Sequence, residues 1–166
     1  HPLVEAREEN GIYIPNDVVM GDKSLRDKST SLCTMTQMTD EDTRGVLLYG
    51  INSSGKSSLM KSLGICVILA QSGFYVPAKQ MRFTLFHEIF TRIIARDNFE
   101  KGLSSFAVEM MEMKNIFNRS TSQSLILGDE ISRGTETLSA LAIVSATIQR
   151  LSEIGSLFMF TTHLHQ

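Results

Sequence analysis

A short glycine-containing segment between a strand-type run and a helix-type run most strongly constrains the fold of this chain. Residues 50–58 read GINSSGKSS, in which Gly50 and Gly55 bracket four residues and are followed by Lys56 and Ser57. The preceding run, GVLLY, is short and apolar, as buried strands are. The following run, SLMKSLGICVILAQSG, carries apolar residues at helical spacing and ends at a glycine. This order of elements predicts a phosphate-binding loop.

Each residue type in this loop has a chemical reason to be there. Backbone N–H groups in such a loop curl around an anion, and the N-terminus of the following helix adds a partial positive charge. Lys56 is expected to reach the outer phosphates, and the Ser57 hydroxyl can ligate Mg²⁺. A turn that matches the spacing by accident is the alternative, which the flanking strand and helix disfavour.

Composition places the chain among globular proteins of reducing compartments. The 166 residues are 42% hydrophobic and 20% charged, enough for one domain with a substantial core. No apolar run could span a bilayer and no signal peptide opens the chain. Cys33 and Cys66 form no disulfide framework, and Cys66 is expected in the core. We therefore expect an intracellular protein of the cytoplasm, nucleus or an organelle, not secreted and without a membrane partner.

The charge balance argues against direct binding of nucleic acid by this segment. There are 16 basic and 18 acidic residues, for a formal net charge of −2. A domain that binds nucleic acid by itself usually has a basic excess, and no run of Lys and Arg here exceeds two residues. Any contact with DNA is expected outside this segment. The opening HPLVE, without Met, and the ending FTTHLHQ are expected of a piece of a longer polypeptide.

The first half of the chain is rich in strand-type segments. GIYIPND alternates before a turn, and KSTSLCTMTQM alternates polar and apolar residues, which predicts a half-exposed strand. After the first helix, PAKQMRFTLF and HEIFTRIIA predict two further strands.

The second half alternates helices and buried strands. LSSFAVEMMEMKNIFNRS predicts a helix whose methionines face either the core, which we favour, or a binding surface. SLILGDE and SLFMFTTH are apolar runs typical of buried parallel strands. Between them, TLSALAIVSATIQRLSEIG predicts a helix closed by Gly155. The alternation predicts an α/β fold, a mostly parallel sheet flanked by helices with right-handed crossovers.

Acidic and imidazole groups follow the two buried strands. Asp129 and Glu130 end SLILGDE, at the strand end where open α/β sheets bind ligands. Asp129 could hold Mg²⁺ and Glu130 could polarise an attacking water, although a turn with two solvated acids is the alternative. His163 could contact a terminal phosphate or serve only structurally. HLH as a metal-binding pair is disfavoured, because no cysteine or carboxylate accompanies it at ligand spacing.

The order of these motifs resembles the ATPase domain of MutS-type DNA mismatch-repair proteins, nearly from end to end. The matching segments are HPLVE, IYIPND, GINSSGKSS, LAQSGFYVPA, IFTRI, GLSSFAVEM, LILGDEISRGTET and FTTH. The resemblance implies a P-loop NTPase fold of the ABC ATPase type, with one domain over residues 1–166. Residues 1–45 would form an N-terminal antiparallel strand region that binds the base, and residues 46–166 the core. The C-terminal dimerisation region would be absent.

The resemblance also implies a role for each matching position. Tyr13 would stack on adenine, although a half-buried strand residue is the alternative reading. The residues expected to bind ATP are Tyr13, Asn16, Asn52, Ser53, Ser54, Gly55, Lys56, Ser57 and Ser58. Ser57 and Asp129 would hold Mg²⁺, while Glu130 and His163 would be catalytic. The residues expected to act in trans at a subunit boundary are Ser104, Arg133, Gly134 and Thr135. Ser104 and Ser105 also fit helix caps.

The chain departs from the family pattern at several positions. The family loop usually reads Gly-Pro-Asn-Met-Gly-Gly-Lys-Ser-Thr, and the replacements here are Ile51, Ser53, Ser54 and Ser58. A left-handed backbone at Ser54 would cost about 1 kcal/mol. Ser132 replaces the Gly after the paired acids, and Ser139-Ala140 replaces an Asp-Gly pair.

Two functions of different classes fit these residues. The first is an ATP-hydrolysing domain that couples Mg·ATP to dimer closure and to a clamp on DNA. Its partners would be ATP or ADP, a second MutS-like subunit, and DNA through other domains. The alternative is an ATP-binding structural or DNA-junction module with little or no hydrolysis. A structural-maintenance or transporter ATPase would carry Leu-Ser-Gly-Gly-Gln in place of GLSSF. Small-molecule kinases are disfavoured, because the paired acids suit attack by water.

Overall fold

The computed structural model describes residues 16–21, 43–93, 105–132 and 135–162, in which strands and helices alternate. The strands are β1 (Gly45–Tyr49), β2 (Glu88–Arg92), β3 (Ser124–Gly128) and β4 (Leu157–Thr162). The helices are α1 (Lys56–Gln71), α2 (Ser105–Arg119) and α3 (Thr137–Ile154). The predicted strand in KSTSLCTMTQM and most of the one in GIYIPND lie outside the described residues.

The four strands form one parallel sheet in the order β1-β4-β3-β2. Every residue of β3 is buried, as the continuous apolar run SLILG predicts for an interior parallel strand. Ahead of the sheet, Gly21 forms an antiparallel bridge with Thr43. The predicted α/β fold with a parallel sheet flanked by helices is therefore confirmed.

Successive side chains of a strand point to opposite faces, so the buried strands place apolar side chains on both faces of the sheet. Helices pack against each face. On one face, Ile126 and Phe160 share a cluster of buried residues with Met113 of α2 and Val144 of α3. On the other face, Leu125, Leu127 and Met159 of the sheet pack with Met60 and Val67 of α1. The sheet is thus the middle layer of a helix–sheet–helix sandwich.

Helix α1 lies close to the sheet along a narrow stripe. Its buried residues are Met60, Gly64 and Val67, whereas the apolar spacing of the sequence favours Leu59, Leu63, Cys66, Val67 and Ala70. Gly64 explains the difference, since an added Cβ would lie 2.6 Å from Leu127 Cδ1. The helix backbone therefore approaches the sheet where the side chain is missing. Cys66 is half-buried, which raises the pKa of its thiol.

The predicted strand in PAKQMRFTLF is wrong, since residues 77–86 form no strand in the structure. The end of this segment is held by a side chain instead of a neighbouring strand. Phe86 N donates to Gln71 Oε1 at 2.6 Å, and Gln71 Nε2 donates to Phe86 O at 3.2 Å. The Gln71 amide thus replaces one step of a strand ladder, and regular pairing begins only in β2.

Helices α2 and α3 follow the sequence closely. Met113 and Ile116 are buried on α2, and Met110 and Phe117 pack partly against the same core, so the methionine stripe mainly faces inward. Helix α3 ends at Gly155, whose φ of 82° is the left-handed conformation that glycine adopts readily at helix ends. Within the described ranges, no helix combines the length and hydropathy needed to cross a membrane.

Candidate functional site

The glycine loop joins the end of β1 to the start of α1, as the sequence predicts. Gly55 is the N-cap of α1, with φ of 92° and no side chain to bond the first helical amides. The left-handed residue among the loop serines is Ser53, with φ of 63°, and not Ser54. The cost of about 1 kcal/mol for a non-glycine residue in this conformation therefore falls at Ser53.

The Lys56 side chain folds back over the loop. Its Nζ donates to Gly50 O at 2.7 Å and to Ile51 O at 2.8 Å. These charge-assisted bonds hold the ammonium group against the loop backbone. A cation in this position can exchange the two carbonyl oxygens for oxygens of a bound anion.

Ser57 and Asp129 meet across the carboxyl edge of the sheet, although 72 positions separate them in the chain. Ser57 Oγ, in the first turn of α1, donates to Asp129 Oδ1 at 2.7 Å. The residue Asp129 directly follows β3, and its backbone N donates to Arg92 O at the end of β2. The loop and the first strand-end acid therefore form one site.

Thr161 links the two strand-end acids. Its Oγ1, on β4, donates to Asp129 Oδ1 at 2.6 Å and accepts a hydrogen bond from Glu130 N at 2.9 Å. Only 1% of Thr161 is exposed. This residue was not predicted from the sequence. The available signal was the pair of threonines that ends the otherwise apolar strand LFMFTT.

The turn after β3 carries two residues in the left-handed region. Glu130 has φ of 51° and Ser132 has φ of 63°, with the buried side chain of Ile131 between them. Each such conformation costs roughly 1–2 kcal/mol in a residue with a side chain. Ser132 thus stands where the glycine usual in the family would be unstrained.

Glu109 of α2 holds the far end of this turn. Its Oε1 accepts a hydrogen bond from Ser132 N at 2.6 Å, and only 5% of the residue is exposed. Glu109 was not predicted from the sequence either. It stands at helical spacing from the buried Met113 and Ile116, which makes it an acid in an otherwise apolar stripe.

For the other predicted site residues, the structure either gives their exposure or does not describe them. Asn52, Ser54 and Ser58 are exposed on the loop and the first turn of α1, Asn16 is exposed ahead of the sheet, and Thr135 is half-buried. The predicted residues that lie outside the described ranges are Tyr13, Ser104, Arg133, Gly134 and His163. The roles predicted for all of these residues stay predictions.

The geometry of Ser57 and Asp129 suits a small hard cation. Mg²⁺ prefers oxygen ligands such as carboxylates and hydroxyls. Ser57 Oγ and Asp129 Oδ1 lie beside each other and would supply two such oxygens. The described residues include no cluster of three or more His, Cys, Asp or Glu side chains suited to a metal.

The fold and the site define an α/β protein with a glycine loop and strand-end acids at the carboxyl edge of a parallel sheet, where open α/β sheets bind ligands. Residues 46–166 match the family model described as MutS domain V. The chain belongs to the MutS family.

Similar proteins cover the whole chain. It is 41% identical, over all of its length, to the DNA mismatch repair protein MutS of Lactobacillus delbrueckii subsp. bulgaricus. The identity to MutS of Bacillus subtilis is 40%, again over the full chain. A putative DNA mismatch repair MutS homologue of Acanthamoeba polyphaga mimivirus is 38% identical over 99% of the chain. The chain spans 16% to 17% of the length of these relatives.

Proposed function

We propose that this chain is the ATP-binding and ATP-hydrolysing domain of a MutS-type mismatch-repair protein. In this proposal, Mg·ATP binding and hydrolysis control the closure of two subunits and the grip of the whole protein on DNA. The observation that carries it is the contact between Ser57 and Asp129, because it joins a phosphate-type loop to a strand-end acid. ATP and ADP are the proposed substrate and product.

The glycine loop would bind the phosphates. Gly55 leaves the first amides of α1 without a side-chain cap, and a helix N-terminus favours negative charge. Lys56 Nζ, now held by Gly50 O and Ile51 O, would turn to the outer phosphate oxygens. The loop residues Asn52, Ser53, Ser54 and Ser58 would line the path of the phosphates.

Ser57 and Asp129 would hold Mg²⁺, because a hydroxyl oxygen and a carboxylate oxygen lie side by side there. When bound, the cation would neutralise part of the phosphate charge. Thr161 donates to the Asp129 oxygen that faces Ser57, and so fixes the orientation of that carboxylate.

Glu130 would act as the general base. Its carboxylate would take a proton from the water that attacks the terminal phosphorus, and the bond to the ADP oxygen would break. The hydrogen bond from Glu130 N to Thr161 Oγ1 holds the residue beside Asp129. His163 would contact the terminal phosphate from the neighbouring strand end.

The proposed macromolecular partners are DNA and a second MutS-like subunit. The relatives are named as DNA mismatch repair proteins, and a net charge of −2 favours DNA contacts in other domains. A second MutS-like subunit would meet the nucleotide through Ser104, Arg133, Gly134 and Thr135, and Tyr13 would stack on the base with Asn16 nearby. The compartment would be intracellular.

A second function is an ATP-binding module with little turnover. The observation that favours it is the strained turn, since Ser132 has φ of 63° directly after the proposed catalytic acid. A displaced Glu130 would bind water poorly while leaving the loop able to hold ATP.

Steady-state phosphate release and ATP calorimetry on the intact protein separate the two functions. Hydrolysis that needs Mg²⁺ and is lost in Glu130→Ala supports the ATPase. Tight ATP binding without measurable release supports the second function. The absence of ATP binding in the presence of Mg²⁺ would contradict both.

A further inference from the structure

A buried acid on α2 is bonded to the turn that carries the proposed base. Glu109 is 5% exposed, and its Oε1 lies 2.6 Å from Ser132 N. A buried carboxylate is costly unless hydrogen bonds compensate for the lost water. A Met or Leu at this position would pack in the same stripe without that cost. Packing alone therefore gives no reason for an acid here.

The turn supplies the reason, because its backbone is strained at two places. Glu130 and Ser132 both lie in the left-handed region, at φ of 51° and 63°. Strained residues at functional sites persist only where the surroundings fix them. Thr161 Oγ1 bonds Glu130 N, and the Ile131 side chain is buried in the core. Glu109 is the third of these restraints, because it accepts a hydrogen bond from the amide of Ser132.

We propose that Glu109 is a positioning residue for Glu130, and this proposal rests on the proposed function. By accepting the Ser132 amide, Glu109 keeps residue 132 left-handed and so sets the direction of Glu130, two residues earlier. Because the contact of Glu109 with this turn is the hydrogen bond to the Ser132 amide, losing it changes the rate of hydrolysis and not the binding of ATP.

Asp129 is fixed independently of Glu109. Its backbone N bonds Arg92 O, and its carboxylate accepts from Ser57 and Thr161. The pair proposed to hold Mg²⁺ therefore keeps its geometry when the Ser132 end of the turn relaxes. This separation between binding and turnover gives the proposal a signature that a general packing role lacks.

Replacing Ser132 by glycine would break no side-chain hydrogen bond within the described residues. Ser132 is 1% exposed, and its Oγ finds no hydrogen-bond partner among the described residues. Glycine adopts the left-handed conformation at no steric cost. In the Ser132→Gly variant, the turn should therefore keep its conformation even when the hydrogen bond to Glu109 is weakened or lost.

The test compares Glu109→Met, Glu109→Gln and Glu109→Met combined with Ser132→Gly in the intact protein. Methionine fills the space but accepts no comparable hydrogen bond, whereas glutamine keeps an acceptor oxygen. Glu109→Met should lower kcat for ATP hydrolysis by about tenfold to a hundredfold, the scale of a small displacement of a reacting group. ATP affinity should be unchanged. Glu109→Gln should stay near wild type, and the double variant should recover part of the lost rate.

The outcomes separate this proposal from a structural role. A wild-type kcat in Glu109→Met, a parallel loss of ATP affinity, or an equal loss in Glu109→Gln would each overturn it. If Glu109→Met does not fold, Glu109→Ala is measured in its place against the same expectations. No hydrolysis by the wild-type protein would overturn the proposed function as well, whereas wild-type hydrolysis with an unaffected Glu109→Met overturns the positioning role alone.

Discussion

Thr161 Oγ1 donates a hydrogen bond of 2.6 Å to Asp129 Oδ1, across the boundary between β4 and the end of β3. The same hydroxyl accepts the amide of Glu130 at 2.9 Å. One buried side chain thus bonds both strand-end acids.

Thr161→Val should impair hydrolysis and stability together. Valine has the same shape but cannot donate to Asp129 or accept from Glu130 N, so the partners lose their bonds at a cost of about 1–3 kcal/mol in the free energy of unfolding. The rate of phosphate release should fall because Glu130 loses an anchor. Thr147→Val, which changes a buried threonine on α3, is the matched control. Equal hydrolysis rates in the two variants would contradict the role of Thr161.

Lys56→Ala should weaken ATP binding. The variant removes a charge-assisted contact worth about 1.5–3 kcal/mol, or roughly tenfold to a hundredfold in affinity. Lys61→Ala is the control, since Lys61 is an exposed lysine on the same helix. Calorimetry that finds equal ATP affinity in both variants would rule out the phosphate-loop interpretation.

Ser57→Ala should change how ATP binding depends on Mg²⁺. The hydroxyl lies 2.7 Å from Asp129 Oδ1, and without it the proposed Mg²⁺ would have one protein ligand fewer. ATP affinity measured against Mg²⁺ concentration should therefore shift to higher concentrations. Ser62→Ala removes a serine hydroxyl that donates to Ser58 O of its own helix, and should leave the curve in place. A shift of the same size in both variants would argue against a Mg²⁺ ligand at Ser57.

The order and type of the elements around the site could be predicted from the sequence. Apolar runs such as SLILG and glycines at helix ends are local signals, and the structure follows them at β3 and Gly155. The absence of a strand in residues 77–86 could not be predicted, because the backbone of Phe86 pairs with the amide of Gln71 and nothing local marks that contact. Pairings of this kind depend on which elements the fold brings together.

The same reason explains which site residues were missed. Ser57 and Asp129 belong to recognisable motifs, whereas Thr161 and Glu109 act through contacts with residues far away in the chain. A left-handed backbone was considered at Ser54, whereas the structure has it at Ser53. Loop spacing indicates that a tight turn is present, but the backbone angle at Ser53 depends on how the loop closes.

Ser53→Gly and Ser54→Gly should therefore affect stability in opposite directions. At Ser53 the backbone has φ of 63°, so glycine removes a strain of roughly 1–2 kcal/mol, which exceeds the roughly 0.5–1 kcal/mol of freedom that it adds to the unfolded chain. At Ser54, where φ is not positive, glycine only adds freedom to the unfolded chain and should destabilise by roughly 0.5–1 kcal/mol. Urea unfolding of the two variants checks this. A gain in stability at Ser54 with none at Ser53 would contradict the loop geometry.

Glu130→Gln should separate ATP binding from hydrolysis. Glutamine keeps the shape of the side chain and its hydrogen bonding but cannot act as a base, and the loss of general-base catalysis typically costs about 10²–10⁴ in rate. ATP binding should persist, because Lys56, Ser57 and Asp129 are unchanged. Hydrolysis at the wild-type rate in the intact variant would show that Glu130 does not activate water.

The same variant tests whether two subunits share the nucleotide. If Ser104 completes the site of a partner, ATP links the subunits, and a block in hydrolysis prolongs the closed pair. Glu130→Gln should therefore form more ATP-dependent dimer than wild type in analytical ultracentrifugation. Adding Ser104→Ala should reverse this gain while the affinity of a single subunit for ATP stays the same. Loss of ATP binding by the monomer in Ser104→Ala would place Ser104 in its own subunit's site, because a residue that acts only in trans contributes nothing to an isolated subunit.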